Sequence, residues 1–282
     1  MTALQGFFRP HTVDEAVTLL AQDPDAKPMA GGATLVAMLN ARVIEPAALV
    51  SLAGIPEIQG ITVLPDGRVR IGACTRHRDS ATCALLTGAG YAVRRAASQI
   101  ANATVRNMGT IGGSISFADP GLDYPPALVA ADAVIEIASI RGRRNVAARD
   151  FFVDWYTTAL APGEIVTAVM LPAPAAGVQG THGVYIKHAR VAGDYATASV
   201  AACLWTGGRV SVAVGGCGPA PLASGEADAL LSADRTDATI TQASAVLDAL
   251  ADPLDDVRGS ASYRRLLIPR LLRRALSEVT KA

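Results

Sequence analysis

The sequence has few of the residues that bind metals or form disulfide bonds. It contains four cysteines and four histidines in 282 residues. Cys74, Cys83, Cys203 and Cys217 show no Cys-x-x-Cys spacing, and no histidine cluster accompanies them. Zinc sites and iron–sulfur clusters need several ligands at short spacing, so the pattern argues against both in this chain. We expect isolated buried thiols and no metal site.

An excess of charge of either sign is also missing. Lys plus Arg number 25 and Asp plus Glu number 25. Balanced charge gives no electrostatic case for binding nucleic acid or an anionic membrane. The most apolar stretches, such as residues 127–140, are interrupted by Asp132 and Glu136 and are too short to span a bilayer. The first residues show no basic region before an apolar run, so we expect no secretory signal, no integral membrane segment and a cytoplasmic protein.

Glycine, in contrast, is concentrated in two short segments. The first glycine segment, residues 29–36, contains Gly31 and Gly32, and the second, residues 107–120, has three glycines within five residues and ends in Ala-Asp-Pro. Glycine lets a second backbone or a ligand approach closely, and successive amides in such turns can bind an anion. One Gly-Gly pair is usually only a turn. Two such segments between apolar runs predict two walls of a site for a phosphate-bearing ligand.

Periodicity and turn residues divide the chain into three predicted units. Residues 1–55 form a small β/α unit, whose first helix starts at a capping box made by Thr12 and Glu15. Residues 56–174 begin with a hairpin at 61–72. The expected elements after it are a helix over 84–102, a short helix over 126–131, strands over 133–139 and 165–171, and a solvated turn at 141–144.

The third predicted unit, residues 175–282, follows a linker rich in Pro, Ala and Gly. Three strand-like runs precede helical segments over 224–232, 236–251 and 260–280. This order predicts an α+β unit with a three-stranded sheet covered on one face by helices. Pro269 is expected to kink the last helix or to mark its start.

Four segments resemble the FAD-binding medium subunits of xanthine dehydrogenase-type molybdenum hydroxylases. Residues 29–35 are similar to the first flavin loop of that family, and residues 105–120 with Asp123 are similar to the second. Residues 193–198 and 256–260 resemble the C-terminal domain of the same subunits. The nearest pattern is that of bacterial carbon monoxide dehydrogenase medium subunits. The resemblance covers nearly the whole chain; Ala33, where the family often has a polar residue, and Pro269 depart from it.

The resemblance implies an α+β protein with a two-subdomain FAD-binding fold (PCMH-type) and a C-terminal α+β domain that covers the flavin. FAD is then the cofactor of this chain. The implied partners are a large subunit with the molybdenum cofactor and a small subunit with two [2Fe–2S] clusters, in a dimer of heterotrimers. The scarcity of metal ligands in this chain agrees with metals lying elsewhere.

The resemblance also implies roles for individual residues. Ala30 to Thr34 and Thr110 to Ser114 are expected to bind the pyrophosphate through amides and hydroxyls. Asp123 corresponds to an acidic FAD contact, or else to the N-cap of a helix. The full set of expected cofactor-binding residues is Met29, Ala30, Gly31, Gly32, Ala33, Thr34, Leu35, Val36, Asn107, Thr110, Ile111, Gly112, Gly113, Ser114, Asp119, Asp123, Val166, Lys187, Asp194 and Tyr195.

The expected contacts at the flavin ring each have a plain structural alternative. Lys187 and Asp194 match positions beside the isoalloxazine or the ribityl chain, but they could form a surface ion pair. Tyr195 could shield the flavin or pack in the core. Val166 matches an apolar contact to the ring, although a strand valine is usually a core residue. No catalytic role is expected for His77, His182 or His188.

The expected function is that of an electron-transfer flavoprotein subunit. It takes electrons from the iron–sulfur clusters of a partner and passes them to an external acceptor. One alternative is a self-contained FAD-dependent oxidoreductase of a related fold. Another is a non-enzymatic FAD-binding module. The sequence lacks a G-x-G-x-x-G dinucleotide fingerprint.

Overall fold

Three larger β-sheets, each with its own helices, and one two-stranded sheet build the described part of the chain. The computed structural model describes residues 6–173 and 181–281. The sheets contain strands from residues 6–51, 61–171 and 182–215 in turn. The mixture of helices and antiparallel and parallel sheets confirms the α+β class, and the C-terminal three-stranded sheet is present as predicted.

The first sheet is parallel. Its unit consists of β1 (Gly6–Phe8), α1 (Val13–Gln22), β2 (Lys27–Met29), α2 (Ala33–Asn40) and β3 (Ala48–Ser51), with sheet order β1-β3-β2. Helix α1 begins where Thr12 Oγ1 accepts a hydrogen bond from the amide of Glu15 at 3.1 Å. The Glu15 carboxylate accepts from the amide of His11, one residue earlier than in a standard capping box.

The second sheet is antiparallel and has the order β4-β5-β10-β6-β7. A 3₁₀ helix, Pro56–Ile58, precedes it. The elements of this unit are β4 (Ile61–Val63), β5 (Val69–Gly72), α3 (His77–Thr82), α4 (Gly90–Gln99), α5 (Ala103–Met108), α6 (Ile111–Phe117), α7 (Tyr124–Ala130), β6 (Val134–Ser139), β7 (Gly142–Ala147), α8 (Ala148–Phe151), β8 (Phe152–Asp154), β9 (Thr157–Thr158) and β10 (Ile165–Leu171). Every residue of β10 is buried, as its continuous apolar run predicts.

The third sheet is buried on both faces. Strands β11 (His182–His188), β12 (Ala198–Leu204) and β13 (Val210–Gly215) are antiparallel neighbours. Helices α9 (Gly225–Ala233), α10 (Asp237–Ala249) and α11 (Ala261–Val279) pack on one face. Tyr185, Ala201 and Cys203 on the other face share a core with α4 and α7. The prediction of a sheet covered on one face was therefore incomplete, because the second sheet's helices supply the other cover.

Two local predictions were wrong. The helix expected over 84–102 is shorter and covers only α4, because residues 83–89 turn and Gly88 has φ +58°. The separate helix α3 before this turn was not predicted. The turn expected at 141–144 is narrower, since Gly142 already begins β7. Arg143 then lies beside Glu57 and Glu136, and Arg144 pairs with Glu164. Both arginine side chains are exposed, as predicted, at 40% and 42%, but each is held in an ion pair.

Four further expectations concern the linker, Pro269, the cysteines and membrane-spanning helices. The predicted linker lies mostly outside the described residues, since 174–180 are not described. Pro269 lies inside α11 and does not mark its start. All four thiols are free; Cys203 and Cys217 are buried, whereas Cys74 and Cys83 are half-buried. Over residues 6–173 and 181–281, no helix combines the length and apolarity that crossing a membrane requires.

The core at α8 gives a stability prediction. Phe151 is fully buried, and its ring meets Phe152 edge-on at 5.2 Å between centroids. Replacing it, Phe151→Ala, should lower the free energy of unfolding by about 3–5 kcal/mol, because the cavity cannot fully collapse. The neighbouring change Val153→Ala, at a 57% exposed side chain, should alter it by less than about 0.5 kcal/mol. Equal shifts of the thermal unfolding midpoint in the two variants would contradict this packing.

Candidate functional site

A cleft of about 770 Å³ lies where the three units meet. Its size is within the usual range for small-molecule sites. The first glycine segment, the start of α6, the strand β10 and the loop at 193–195 all contribute to its walls. The wall is largely apolar, with a few polar groups such as Asp123 and Thr110.

The two glycine segments touch each other directly in this cleft. A Cβ atom added at Gly31 would overlap the carbonyl oxygen of Met108 and lie 2.7 Å from its carbonyl carbon. It would also lie 3.0 Å from the Cα atom of Gly109. Only glycine permits this approach of two backbones. The two segments therefore form one continuous wall, as the predicted pairing of the two segments requires.

Other glycines of the second segment are needed for packing against the protein itself. A Cβ at Gly109 would lie 2.5 Å from His77 Nε2, and one at Gly112 would lie 2.6 Å from the Cβ of Ala73. A Cβ at Gly113 would meet Thr110 Oγ1 at 3.1 Å and Ala30 Cβ at 3.9 Å. Gly109 and Gly112 thus let α6 lie close to β5 and α3, which places its first turn at the cleft.

The first amides of α6 already have partners within the protein. The amide of Ile111 donates to the carbonyl oxygen of Thr75 at 3.0 Å, and that of Gly112 donates to Ala73 at 2.8 Å. The amide of Gly113 donates to the Thr110 side chain at 3.2 Å. The expectation that these amides bind an anion therefore does not match the structure. The hydroxyls of Thr110 and Ser114, which line the cleft, are the groups that this segment offers.

The amides of residues 30–35 in the first glycine segment, unlike the first amides of α6, have no partners in the described part of the chain. Six consecutive residues, 30–35, line the cleft, and among the described residues none of their amides donates a hydrogen bond. Gly32, with φ +73°, turns the chain immediately before α2. These amides and the N-terminal end of α2 provide partial positive charge at the cleft wall. A ligand with anionic oxygens satisfies such amides better than a neutral one.

A buried charged cluster lies beside the cleft. Lys187 Nζ lies 3.0 Å from Asp123 Oδ1, and the exposed fractions of the two side chains are 4% and 6%. The hydroxyl of Tyr185 donates to Asp123 at 2.6 Å, and Lys187 also donates to the carbonyl oxygen of Gln99. Burial raises the pKa of Asp123, while Lys187 and Tyr185 act against that rise. Asp123 stands at the N-cap position of α7 but its side chain makes no capping bond.

Lys187 and Asp194 have different partners. Lys187 pairs with Asp123 inside the protein, whereas Asp194 pairs with Arg258 at 3.3 Å nearer the surface. The alternative prediction, a surface ion pair between Lys187 and Asp194, is therefore wrong, because each residue pairs with a different partner. Asp194 and Tyr195 line the cleft, and the Arg258 guanidinium lies 4.9 Å from the centre of the Tyr195 ring.

His77 lines the cleft, although no role was expected for it. Its Nδ1 lies 3.3 Å from the Tyr124 hydroxyl, and its backbone amide donates to Gly109. Burial, aided by the positive charge of Arg106, lowers the pKa of His77 to about 4. The ring is therefore neutral near pH 7. No spacing rule marks His77, because its contacts join segments far apart in the sequence.

Most of the expected cofactor-binding residues line this cleft, and five do not. The five are Val36, Asn107, Ile111, Asp119 and Lys187. Ile111 is fully buried in the core, and Val36 is 41% exposed. Asp119 accepts from the amide of Gly121 and from the hydroxyl of Tyr156. Tyr156 lines the cleft and was missed, because its turn carries no motif.

Comparison with known proteins gives the family. Residues 2–174 match the FAD binding domain in molybdopterin dehydrogenase, and residues 184–279 match the CO dehydrogenase flavoprotein C-terminal domain. The chain belongs to the FAD-binding medium subunits of the molybdenum hydroxylases. It is an oxidoreductase subunit of the xanthine dehydrogenase family, as the sequence predicted, and FAD is its cofactor.

Individual relatives match this medium subunit over almost their whole length. The carbon monoxide dehydrogenase medium chain of Afipia carboxidovorans is 36% identical, covering 96% of this chain and 94% of its own. The glyceraldehyde dehydrogenase medium chain of Sulfolobus acidocaldarius is 34% identical, covering 97% of both. The structure of carbon monoxide dehydrogenase from Hydrogenophaga pseudoflava superposes with a TM-score of 0.92 at 33% identity, covering 100% of this chain and 99% of that one.

The residues of the cleft fit FAD on grounds of chemistry alone. FAD carries a pyrophosphate, and the cleft contains six consecutive amides without partners in the described part of the chain. It also carries two planar ring systems, for which the cleft offers apolar wall and the ring of Tyr195. The first glycine segment of the medium subunit would hold the pyrophosphate, with Thr110 and Ser114 facing it.

The contact between the two glycine segments can be tested with one methyl group. Gly31→Ala should cut the FAD content of the purified protein severely, because the new Cβ forces the two cleft walls apart. Gly225→Ala is the matched control, since no atom lies within 4 Å of a Cβ at that first residue of α9. FAD content is read from the flavin absorbance per chain. A normal FAD content in Gly31→Ala would contradict the direct contact.

The low pKa of His77 predicts a pH dependence of stability. Between pH 6.5 and about 4, the unfolded chain binds a proton at His77 that the folded chain does not bind. Stability should therefore fall as pH drops through this window. His77→Asn removes this contribution, so its unfolding free energy should fall less steeply there than that of the wild type. His182→Asn is the control and should follow the wild type; identical slopes for all three proteins would contradict a buried neutral His77.

Proposed function

We propose that this chain is the electron-transfer subunit of a heterotrimeric molybdenum hydroxylase. FAD, when bound, accepts two electrons and can release them to an external acceptor. The role of the chain's own residues is to bind this group, to orient it and to tune its surroundings. The amides of residues 30–35, which line the cleft and donate to no other described residue, support the proposal most strongly.

The proposed source of electrons is a partner chain. Among the described residues no group of three or more His, Cys, Asp or Glu side chains could hold a metal ion. The four thiols are free, and burial raises the pKa of Cys74 and of Cys217 to about 12, which disfavours the thiolate that binds metals. The proposed partners are a small subunit with two [2Fe–2S] clusters and a large subunit with the molybdenum cofactor, in a dimer of heterotrimers. A cytoplasmic location stays a prediction.

We assign the residues of the cleft as follows. The amides of residues 30–35 bind the pyrophosphate, and Thr110 and Ser114 add hydroxyl donors. Asp123, kept in place by Lys187 and Tyr185, contributes to the cleft wall at the start of α7. Val166 and Tyr195 provide apolar surface for the isoalloxazine. The unit boundaries 1–55, 56–174 and 175–282 remain our proposal.

The substrate of the assembly is proposed to depend on the large subunit. Relatives named for carbon monoxide and for glyceraldehyde are 36% and 34% identical to this chain over nearly equal lengths. Such even similarity to medium chains with different names does not favour one substrate. The external acceptor is proposed to meet the flavin in this cleft.

Purification in the native assembly tests this function. The tagged chain should bring with it two further chains, and metal analysis should find molybdenum and iron in the assembly but none on this chain alone. Reduction of the flavin by an organic substrate without any partner would instead indicate a self-contained oxidoreductase. Bound FAD with no metal-bearing partner would indicate a non-enzymatic binding module. Either result would contradict the proposal.

A further inference from the structure

Tyr156 has an unusual backbone conformation at the mouth of the cleft. It lies in the turn between β8 and β9, lines the cleft, and is 56% exposed. Its φ is +51°, in the left-handed region that bulky side chains rarely adopt. Strain of this kind persists where the surrounding structure holds it, and it is frequent at sites that clamp a ligand. The conformation therefore points to a role for the ring.

Two contacts hold the Tyr156 ring in one orientation. Its hydroxyl donates to Asp119 Oδ2 at 3.1 Å. Its ring also meets Phe117 edge-on, with the centroids 5.5 Å apart and the planes at 67°. Burial and the Asp119 carboxylate raise the pKa of Tyr156, which keeps the hydroxyl protonated and able to donate. An exposed tyrosine with both an anchored hydroxyl and a packed ring edge is preorganised.

Asp119 also connects Tyr156 to a second tyrosine, Tyr195, through Gly121. Asp119 Oδ1 accepts from the amide of Gly121 at 2.8 Å. A Cβ at Gly121 would lie 3.2 Å from Tyr195 Cδ1, so this glycine leaves space for the Tyr195 ring. Tyr195 is held in turn by Arg258. Two rings that line the cleft, one from each of two units, are thus both in contact with the turn at residues 119–121, which lies behind them.

We propose that Tyr156 is a cofactor-binding residue whose ring packs on the isoalloxazine beside Tyr195, and that Asp119 is the positioning residue that holds it there. The inference rests on the proposed binding of FAD in this cleft. It explains why a mostly exposed aromatic ring is fixed at a cleft mouth at the expense of backbone strain. Asp119 does not line the cleft itself, so its role is to hold the Tyr156 hydroxyl in place.

The test measures how fast FAD leaves the protein in its native assembly. Tyr156→Ala removes the ring, and Tyr156→Asn removes it while tolerating the positive φ, so the second variant keeps the turn unstrained. Both should release FAD into FAD-free buffer about 2–10-fold faster than the wild type, as expected for the loss of one aromatic contact. Release is followed by the rise in flavin fluorescence. Tyr91→Ala, at an exposed ring outside the cleft, is the control and should match the wild type.

A third variant separates the effect of the Tyr156 ring from the effect of its hydrogen bond to Asp119. Tyr156→Phe keeps the ring but loses the bond to Asp119, so it should release FAD at a rate between those of the wild type and Tyr156→Ala. The shape of the bound flavin's visible absorption spectrum should change in the same order, which a merely structural role in the turn would not produce.

The outcomes distinguish this inference from the function on which it rests. A wild-type protein without FAD would overturn the proposed function. A wild type that holds FAD, with equal release rates in Tyr156→Ala, Tyr156→Asn and Tyr91→Ala, would overturn the role of Tyr156 alone. Faster release in Tyr156→Ala but not in Tyr156→Asn would also overturn it, because backbone strain rather than the lost ring would then explain the effect.

Discussion

The contact between Gly31 and the Met108–Gly109 peptide is the constraint on which the cleft depends. It joins the first parallel sheet to the helices of the second sheet without any side chain between them. Because the two backbones touch, the amides of residues 30–35 and the hydroxyls of Thr110 and Ser114 face one space. A larger residue at position 31 would separate a donor-rich wall from its opposite side, and the cleft would lose its shape.

A second constraint ties the C-terminal unit to this cleft. The Asp123–Lys187 pair is buried, and a buried pair of this kind contributes orientation more reliably than net stability. It fixes β11 against the start of α7, which brings the 193–195 loop to the wall of the cleft. The Arg264 side chain, 5% exposed, donates to the carbonyl oxygens of Thr197 and Gly216 and so steadies the residues that follow that loop. The cleft therefore needs all three units.

The sequence predicted what depends on local pattern. The helix after Thr12, the hairpin at 61–72 and the three C-terminal strands all follow from capping, turn residues and periodicity. It could not show that the carbonyl oxygens of Ala73 and Thr75 occupy the first amides of α6, since those contacts join distant segments. The partners of Arg143 and Arg144 were hidden for the same reason. Tyr156 lies in a turn whose strain is visible only in three dimensions.

In the proposed binding of FAD, the first glycine segment supplies amides to the pyrophosphate and the second does not, a difference that amide hydrogen exchange can measure. Exchange is compared at residues 30–35 and 111–113 in FAD-loaded and FAD-depleted protein. FAD should slow exchange strongly at 30–35, where the amides have no partner in the described chain, and change it little at 111–113, where they already have partners. Protection that appears at 111–113 and not at 30–35 would contradict this assignment of the amides.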